Sequence, residues 1–430
     1  MDWKIRASGK PLRGEVIVPP DKSVSHRAVM FGALCSGKVK IRNFLFAEDC
    51  MRTLNAFTEM GCRIERSGSD VMVWGKGLNA LSSPGHDLYL GNSGTTMRII
   101  SGIIAGSGIS AVLTGDESLS RRPMDRIISP LREMGAIISA VEGNFPPLSI
   151  HANSKRIAAI NYKTPVASAQ IKSSVLAAGL FADGVTSVTV PLRSRDHTER
   201  MLKHFSAQLE VSGLTTKITG GRELSAAEIT VPGDISSAAF FIVGASLLEG
   251  SDIILKKTGL NPTRKGIIDV MLRMGANIEI IDKREGVEVE GDLRVKYSKL
   301  NGTVISAEEI PLLIDEVPIL IVAALNASGE TIFHGINELK VKESDRVKCM
   351  AENLKLMGHE IFEEENTLRI PGNSRKQKTA EFNSYGDHRI AMSMAIASLL
   401  AKGDSIIRNT SCVETSYPLF MRHFELLGAI

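Results

Sequence analysis

The sequence predicts an α/β protein made of six similar units that form two similar domains. Three observations support this prediction: a loop-and-helix pattern that recurs six times, a second helix pattern that ends in glycine, and a match between two distant segments. The chain has 430 residues, of which 43% are hydrophobic and 23% charged, a composition typical of folded globular proteins. It is long enough for more than one domain.

The first pattern is a polar loop followed by a long stretch of apolar or small residues. Its copies begin at intervals of 66 to 81 residues. The loops start at Asp21, Asn92, Ser168, Asp234, Asp315 and Asp387. Because Asp, Asn and Ser favour the N-cap position, these stretches are predicted to be helices that begin at the loops.

The second pattern alternates with the first and is an amphipathic helix followed by glycine. Its copies end at Gly61, Gly135, Gly275, Gly358 and Gly428, whereas the third copy, near Gln208, lacks the glycine. Glycine directly after a periodic apolar stretch is a helix C-cap signal. Runs rich in β-branched residues, such as Val188–Val190, predict strands between the helices.

The third observation is a match between Glu15–Asp21 and Glu228–Asp234 at an offset of 213 residues. It predicts one domain over residues 19–231 and a second over residues 1–18 and 232–430. Two crossings between similar domains favour a hinge with a ligand cleft. The alternative is that the repeated units reflect only common packing rules.

Composition narrows the classes of function. The net charge is +3 and aromatic residues make up 5%, which argues against a nucleic-acid surface. The charged start and the lack of an 18-residue apolar run predict neither a signal peptide nor a membrane span. Five cysteines without a Cys-x-x-Cys pair indicate reduced thiols, so we expect a cytoplasmic protein without a zinc site.

No cofactor is predicted from the motifs. The segment Gly32–Lys38 has the spacing of a phosphate-binding P-loop, but Val39 replaces the Ser or Thr that would hold magnesium, and the segment follows a helix. No glycine-rich dinucleotide motif lies between a strand and a helix, and no His-x-x-x-His pair suggests a metal.

Basic residues recur where the predicted helices begin. They are Lys22, Arg27, Arg98, Arg122, Arg195, Lys342, Arg346 and Arg389. A helix N-terminus offers free N–H groups and partial positive charge, and Arg or Lys beside it makes a site for phosphate or carboxylate. Alone, each is more commonly a surface charge or a capping partner. Together they predict ligands with several negative charges.

Acidic residues and a histidine lie among these cations. Lys22 and Glu343 are candidate proton carriers, and Asp315 is a candidate base for a substrate hydroxyl, because cations keep a carboxylate ionised. His388 is a further candidate catalytic residue. The alternatives are helix capping for Asp315 and Asp387, and a structural hydrogen bond for His388.

Seven ordered segments resemble the motifs of the EPSP synthase family, the 3-phosphoshikimate 1-carboxyvinyltransferases. They are Asp21–Arg27, Gly91–Arg98, Arg121–Met124, Ser168–Gln170, Ser194–Glu199, Val341–Arg346 and Tyr385–Arg389. The resemblance covers essentially the whole chain. It implies the enolpyruvyl transferase fold, an inside-out α/β barrel in which each of two domains has three βαβαββ repeats and the domains close around the substrates.

The resemblance also implies a reaction. The family transfers the enolpyruvyl group of phosphoenolpyruvate to the 5-hydroxyl of shikimate 3-phosphate, by addition and then elimination of phosphate. Both substrates carry a phosphate and a carboxylate, which accounts for the many cations. No metal or other cofactor is implied, and we expect a monomer without nucleic-acid or membrane partners.

The family's binding residues are carried over by position. Shikimate 3-phosphate is expected to bind Lys22, Ser23, Arg27, Ser168, Gln170, Arg195, Asp315 and Lys342. Phosphoenolpyruvate is expected to bind Lys22, Gly94, Arg122, Gln170, Arg346 and Arg389, with support from Asn92, Thr95 and Arg98. Glyphosate, which occupies the phosphoenolpyruvate site of this family, is an expected inhibitor because Gly94 leaves room for it.

The chain departs from the family pattern at three positions. Ala169 replaces a second serine, Glu338 replaces an asparagine of some members, and Thr415 replaces a lysine that binds phosphoenolpyruvate in many members. The phosphate of phosphoenolpyruvate is then expected to depend more on the arginines.

Alternatives to this function stay open at this stage. The UDP-N-acetylglucosamine enolpyruvyl transferases share the fold, but they have Lys-Asn where this chain has Lys22-Ser23, and usually a cysteine in the segment that corresponds to Asp116–Arg122. A non-catalytic repeat protein that binds phosphorylated ligands would not need the acid and base set. An RNA 3′-phosphate cyclase would require a nucleotide loop.

Overall fold

The structure is a computed structural model that describes residues 1–7, 9–373 and 377–429. The chain divides into two compact units. We call Pro20–Val231 the continuous unit, and Met1–Pro19 together with Pro232–Ile430 the two-segment unit. The chain therefore passes from one unit to the other twice, once in each direction.

The continuous unit contains three sheets with the same plan. The first orders Leu224–Ser225, Cys35–Arg42, Asp70–Lys76 and Arg63–Ser67, with Ile229–Thr230 also paired to Cys35–Arg42. The second orders Leu88–Tyr89, Ala111–Thr114, Phe145–His151 and Ile137–Val141. The third orders Asn161–Lys163, Val185–Thr189, Thr215–Thr219 and Leu209–Ser212. In each sheet the first two strands pair in parallel and the others antiparallel.

The two-segment unit also contains three sheets. The first orders Asn277–Arg284, Glu290–Lys296, Asp252–Gly259 and Arg13–Ile17. The second orders Val304–Ile305, Thr331–His334, Thr367–Ile370 and Phe362–Glu364. The third orders Trp3–Arg6, Asp404–Arg408 and Glu381–Asn383. Two of these sheets therefore repeat the plan of the continuous unit, and the third does so with one strand fewer.

Two kinds of helix alternate in both units. The first kind comprises Lys22–Gly32, Gly94–Ser107, Ala169–Gly179, Ile235–Leu247, Val317–Leu325 and His388–Ser398. The second kind comprises Glu48–Glu59, Asp125–Glu133, His197–His204, Gly266–Arg273, Arg346–Leu356 and Phe420–Leu426. Short helical turns lie at Glu117–Ser120, Ile310–Leu313, Ile336–Leu339 and Thr410–Thr415.

Burial explains why helices lie inside and sheets outside. Every residue of Val317–Leu325 and His388–Ser398 is buried, so these helices have no solvent-facing side. Strands such as Asp70–Lys76 and Phe145–His151 instead alternate buried with less buried residues, as strands covered on one face do. This confirms the predicted inside-out α/β fold. Despite their apolar character, none of the described helices is long and apolar enough to cross a membrane.

A close contact between two inner helices positions the site of the continuous unit. A Cβ atom on Gly102 would lie 2.1 Å from the carbonyl oxygen of Ser174, so only glycine fits where Gly94–Ser107 meets Ala169–Gly179. The two helices therefore approach closely, and their first turns lie beside each other.

The helix ends follow the predicted signals with one correction. The glycines after the second kind of helix have positive φ angles between 79° and 97°, as a C-cap requires. In the third copy the helix ends at His204, before the position expected near Gln208, and Ser206 takes the left-handed conformation with a φ of 64°. A serine therefore replaces the missing glycine.

Candidate active site

Lys22 begins an inner helix and forms a buried ion pair. Asp21 caps this helix, because its Oδ1 accepts the backbone N–H of Val24 at 2.9 Å. Lys22 Nζ lies 2.9 Å from Oδ2 of Asp49, and the exposed fractions of the two side chains are 17% and 10%. The pair holds the ammonium group in a fixed place near the helix N-terminus. Asp49 was not among the residues predicted for the site.

Two arginines converge on Gly94, the first residue of the next inner helix. A Cβ atom on Gly94 would lie 3.1 Å from Arg98 Nη1 and 3.2 Å from Arg122 Nη1. Ser93 caps this helix by accepting the N–H of Thr96 at 3.3 Å. Two guanidinium groups beside a helix N-terminus repel each other unless an anion lies between them, so this arrangement can hold a phosphate or carboxylate.

Asn92 holds Arg122 in this site. Its carbonyl oxygen accepts from Arg122 Nη1 at 3.3 Å, and its side-chain oxygen accepts from Arg122 Nη2. Ser118 Oγ also accepts from Nη2, at 3.1 Å. Asn92 in turn donates to Asp116 Oδ2 at 2.8 Å. The structure thus brings together Asn92 and Arg122, as the sequence predicted, and adds Ser118 and Asp116.

Gln170 connects Arg98 with Thr95. Arg98 Nη1 donates to Gln170 Oε1 at 2.8 Å, and Gln170 Nε2 donates to Thr95 Oγ1 at 3.0 Å. Gln170 lies in the first turn of a helix that Ser168 caps, with Ile171 N donating to Ser168 Oγ at 3.4 Å. Four residues that the sequence singled out therefore lie in one cluster.

Arg27 is 3% exposed and is held by neutral oxygen atoms. It donates from Nε to Thr198 Oγ1 at 2.8 Å, from Nη2 to Ser173 Oγ at 3.2 Å, and from Nη1 to the carbonyl of Ser23 at 3.0 Å. These three hydrogen bonds fix the position of the guanidinium. Arg195 lies just before the helix that carries Thr198 and is half-buried.

In the two-segment unit, Arg346 holds three carboxylates together. It is 2% exposed. Its Nη1 lies 3.0 Å from Asp315, its Nη2 2.7 Å from Glu343, and its Nε 2.9 Å from Asp387. Burial alone would lower the pKa of Arg346, but the three carboxylates raise it above its ordinary value. The arginine is therefore a permanent cation in an acidic cluster.

The two aspartates of this cluster differ in role. Asp387 is fully buried and caps its helix, with Oδ1 accepting the N–H of Arg389 at 2.8 Å, so the capping alternative is correct for it. Asp315 is not a cap, because Glu316 precedes Val317–Leu325. Asp315 is half-buried beside Arg346 and can accept a proton from a ligand.

Arg389 rests on a polar network that the sequence did not predict. It donates from Nη1 to the carbonyl of Ser236 at 3.0 Å. Ser236 Oγ hydrogen-bonds to Glu316 and accepts from Arg264 Nη2 at 2.6 Å, and Arg264 also pairs with Asp234 at 3.3 Å. All five residues are buried. The network fixes the first turn of the helix that begins at Asp234.

The remaining predicted residues are characterised by their positions in the fold. His388 is the first residue of its helix and is 3% exposed. Lys342 is half-buried in the segment that precedes Arg346. Thr415, in the place of the family's lysine, donates from Oγ1 to the carbonyl of Cys412 at 2.7 Å, within its own turn. Among the described residues, no group of three or more His, Cys, Asp or Glu side chains could hold a metal ion.

Comparison with known proteins identifies the family of the chain. Residues 7–424 match the family described as EPSP synthase (3-phosphoshikimate 1-carboxyvinyltransferase). A protein of Pelotomaculum thermopropionicum with the name 3-phosphoshikimate 1-carboxyvinyltransferase is 51% identical over 425 residues, which cover 98% of this chain and 97% of that protein. A protein of Bacillus licheniformis with the same name is 48% identical over 419 residues, or 97% of each chain.

A solved structure extends the similarity to three dimensions. The structure of EPSP synthase from Acinetobacter baumannii superposes with a TM-score of 0.89 at 43% sequence identity, and the match covers 100% of this chain and 98% of that one.

Proposed function

The chain belongs to the EPSP synthase family, and from this premise we propose how its residues carry out the reaction. The reaction is transfer of the enolpyruvyl group of phosphoenolpyruvate to the 5-hydroxyl of shikimate 3-phosphate, with release of phosphate. The observation that supports the assignment of residues best is the convergence of Arg98 and Arg122 on Gly94, because two guanidinium groups at a helix N-terminus suit a dianion.

Phosphoenolpyruvate is proposed to bind two sets of cations. Arg122, the backbone of Gly94, Gln170 and Lys22 hold its phosphate, and Arg346 with Arg389 holds its carboxylate. Support comes from Arg346, whose five N–H groups exceed the three bonds that it makes within the described structure. Two donors are thus left for a ligand carboxylate. Asn92 keeps Arg122 in position, and Thr95 and Arg98 keep Gln170 in position.

Shikimate 3-phosphate binds a second set of residues, which shares Gln170 with the first. Arg27, Ser23, Ser168 and Gln170 hold its phosphate, and Arg195, Lys342 and Asp315 hold the rest of the molecule. Arg27 supports this assignment, since three hydrogen bonds fix its buried guanidinium and a guanidinium is a strong hydrogen-bond partner for a phosphate.

The acid and base residues act in two steps. Asp315 takes the proton of the 5-hydroxyl, whose oxygen bonds to C2 of phosphoenolpyruvate, while Lys22 or Glu343 adds a proton to the methylene carbon. The tetrahedral intermediate then loses phosphate from C2, and the same residues remove a proton from the new methyl carbon. His388, which follows Asp387 of the acidic cluster in the chain, completes the candidate catalytic set. Fixed cations stabilise the developing charge.

Phosphate release from phosphoenolpyruvate tests this function with a choice of acceptor. Release is expected with shikimate 3-phosphate and not with UDP-N-acetylglucosamine, in buffer without added metal. The opposite preference would move the chain to the UDP-N-acetylglucosamine enolpyruvyl transferases. Absence of release with both acceptors, together with tight binding of either phosphorylated ligand, would support a non-catalytic binding protein.

Glyphosate is proposed to bind in place of phosphoenolpyruvate, beside Gly94. A Gly94→Ala substitution adds a methyl group 3.1 Å from Arg98 Nη1 and 3.2 Å from Arg122 Nη1, so both guanidiniums must move. We expect the KM for phosphoenolpyruvate to rise about tenfold, equivalent to about 1.4 kcal/mol of binding, and the inhibition constant of glyphosate to rise at least as much.

Gly85→Ala is the matched control for Gly94→Ala. Gly85 belongs to the same unit, and a Cβ atom there would meet no described atom within 4 Å. The control is expected to keep the parent KM and inhibition constant. Equal values for Gly94→Ala and Gly85→Ala would contradict the placement of phosphoenolpyruvate at Gly94, and an inhibition constant in the parent hundreds of times its KM would contradict the placement of glyphosate.

We also propose that the protein is cytoplasmic and that it is a monomer. The first is supported by the five cysteines, all of which are free thiols and four of which are buried. Size-exclusion chromatography with light scattering tests the second.

A further inference from the structure

Two helices that carry the Lys22–Asp49 ion pair are joined a second time, one turn further along. Lys22 and His26 are four residues apart in one helix, and Asp49 and Thr53 are four residues apart in the other. Each pair therefore lies on one face of its helix. His26 Nδ1 lies 2.7 Å from Thr53 Oγ1. The ion pair and this hydrogen bond thus form two parallel links between the same helices.

The second link continues to the helix that begins at Gly94. Thr53 Oγ1 lies 2.7 Å from Thr96 Oγ1, and Thr96 Oγ1 lies 2.7 Å from Ser93 Oγ. Ser93 is also the N-cap of that helix. We call His26, Thr53, Thr96 and Ser93 the hydroxyl chain. It connects the helix of Lys22 to the helix where the two arginines converge.

The hydroxyl chain is completely buried. None of its four side chains is more than 1% exposed. Burying hydroxyl and imidazole groups costs free energy unless they are hydrogen-bonded, and valine has the shape of threonine without that cost. Packing alone therefore does not account for the hydroxyls. Their hydrogen bonds instead fix the distances between three helices to within a few tenths of an ångström.

The imidazole of His26 is neutral in this chain. Burial lowers the pKa of His26 well below its ordinary value, nearby Lys22 and Arg27 lower it further, and Asp21 opposes them. Nε2 makes no hydrogen bond to the residues that the structure describes. Because a buried N–H without a partner costs more than an unused lone pair, we assign the proton to Nδ1, which donates to Thr53.

We propose that the hydroxyl chain is a positioning element for Lys22, which sets the place of the Lys22–Asp49 pair relative to the anion site at Gly94. The inference rests on the proposed function of Lys22. A displacement of about 1 Å can cost on the order of 10²-fold in rate. Loss of the second link is therefore expected to lower kcat more than it raises the KM of either substrate.

Three valine variants test the proposal. Thr53→Val and Thr96→Val keep the side-chain shape and remove one hydroxyl each, and each is expected to lower kcat about tenfold. The double variant is expected to lose no more than either single variant, because both break the same chain. Thr58→Val is the matched control: Thr58 lies on the helix of Thr53, is exposed, and donates from its hydroxyl to Leu54 O of its own helix, 3.0 Å away.

Substitutions of His26 separate the hydrogen bond from packing. The amide of His26→Asn places a donor close to the position of Nδ1, so its kcat is expected within about threefold of the parent, whereas His26→Leu is expected to resemble Thr53→Val. Thermal melting checks that each variant is folded. Nitrogen-15 NMR of the parent is expected to show a neutral, Nδ1-protonated His26 from about pH 6 to 8, with the signal identified by its loss in His26→Asn.

Several outcomes would overturn the proposal. They are a Thr53→Val kcat equal to that of Thr58→Val, single losses that multiply in the double variant, and a His26→Asn variant as slow as His26→Leu. The comparison with Lys22→Ala separates this inference from the function on which it rests. If Lys22→Ala keeps the parent kcat, the proposed function of Lys22 is wrong. If Lys22→Ala is inactive and a folded Thr53→Val keeps the parent kcat, only the hydroxyl chain is refuted.

Discussion

An Asp315→Ala variant is expected to lose about 10²- to 10⁴-fold in kcat. It should bind phosphoenolpyruvate nearly as well as the parent chain, with a smaller rise in the KM for shikimate 3-phosphate, which loses its contact with Asp315. The methyl group cannot take the proton of the attacking hydroxyl. Asp315 is one of three carboxylates around Arg346, so the other two continue to hold the arginine in its absence. Steady-state phosphate release, measured against each substrate in turn, gives kcat and both KM values.

Glu309→Gln is the matched control for this substitution. Glu309 is a carboxylate of the same unit that pairs with an arginine, Arg273, at 2.8 Å, outside the acidic cluster. Its kcat is expected within about twofold of the parent, as for most substitutions away from a site. If Asp315→Ala raises KM and leaves kcat unchanged, Asp315 binds substrate but is not the base.

An Arg346→Met variant is expected to lose about 3–5 kcal/mol of unfolding free energy, because three carboxylates are left without their cation. Methionine has nearly the length of the arginine stem, so the loss comes from charge and not from a cavity. Asp387 is fully buried, so loss of the cation beside its carboxylate is expected to cost the most free energy. Urea unfolding followed by circular dichroism gives the free energy, and the midpoint shift gives its sign directly.

Arg408→Met provides the comparison on the surface of the same unit. Arg408 also pairs with two carboxylates, Asp2 at 2.6 Å and Glu381 at 2.7 Å, but its side chain is 42% exposed. Only a small change in the unfolding midpoint is expected there, since water solvates exposed charges. The effect of Arg346→Met should shrink as the pH falls and the carboxylates take up protons. Equal midpoint shifts for the two variants would show that the acidic cluster tolerates loss of its cation.

Much of the fold was predictable because its signals are local. An N-cap residue such as Asp21 or Ser168 accepts a backbone N–H within three positions, and a glycine such as Gly61 adopts its positive φ next to the helix that it ends. The exception is instructive: Ser206 adopts the same conformation with a side chain that gives no C-cap signal. A helix C-cap can be predicted from the sequence only where the residue type, such as glycine, strongly favours the left-handed conformation.

The site was predictable in its cations and carboxylates, but not in the neutral groups that hold several of the cations. Arg27, Arg122 and Arg346 stand out by charge and by position at helix starts. Some of the neutral partners come from distant parts of the chain: Thr198 is 171 residues from Arg27, and Ser236 is 153 residues from Arg389. Neutral hydroxyls have no pattern of their own in a sequence. The one available signal was the four-residue spacing of Asp49 and Thr53 on a helix next to that of Lys22.

The two-segment unit pairs strands from opposite ends of the chain, and this affects the order of folding during synthesis. Strand Trp3–Arg6 pairs with Asp404–Arg408, and strand Arg13–Ile17 pairs with Asp252–Gly259. A growing chain therefore exposes its first strands long before their partners leave the ribosome. At about 5–20 residues per second, the wait for the partner of the first strand lasts roughly 20 to 80 s. The continuous unit can meanwhile complete its own sheets. It is therefore expected to fold before Trp3–Arg6 and Arg13–Ile17 pair with their partner strands.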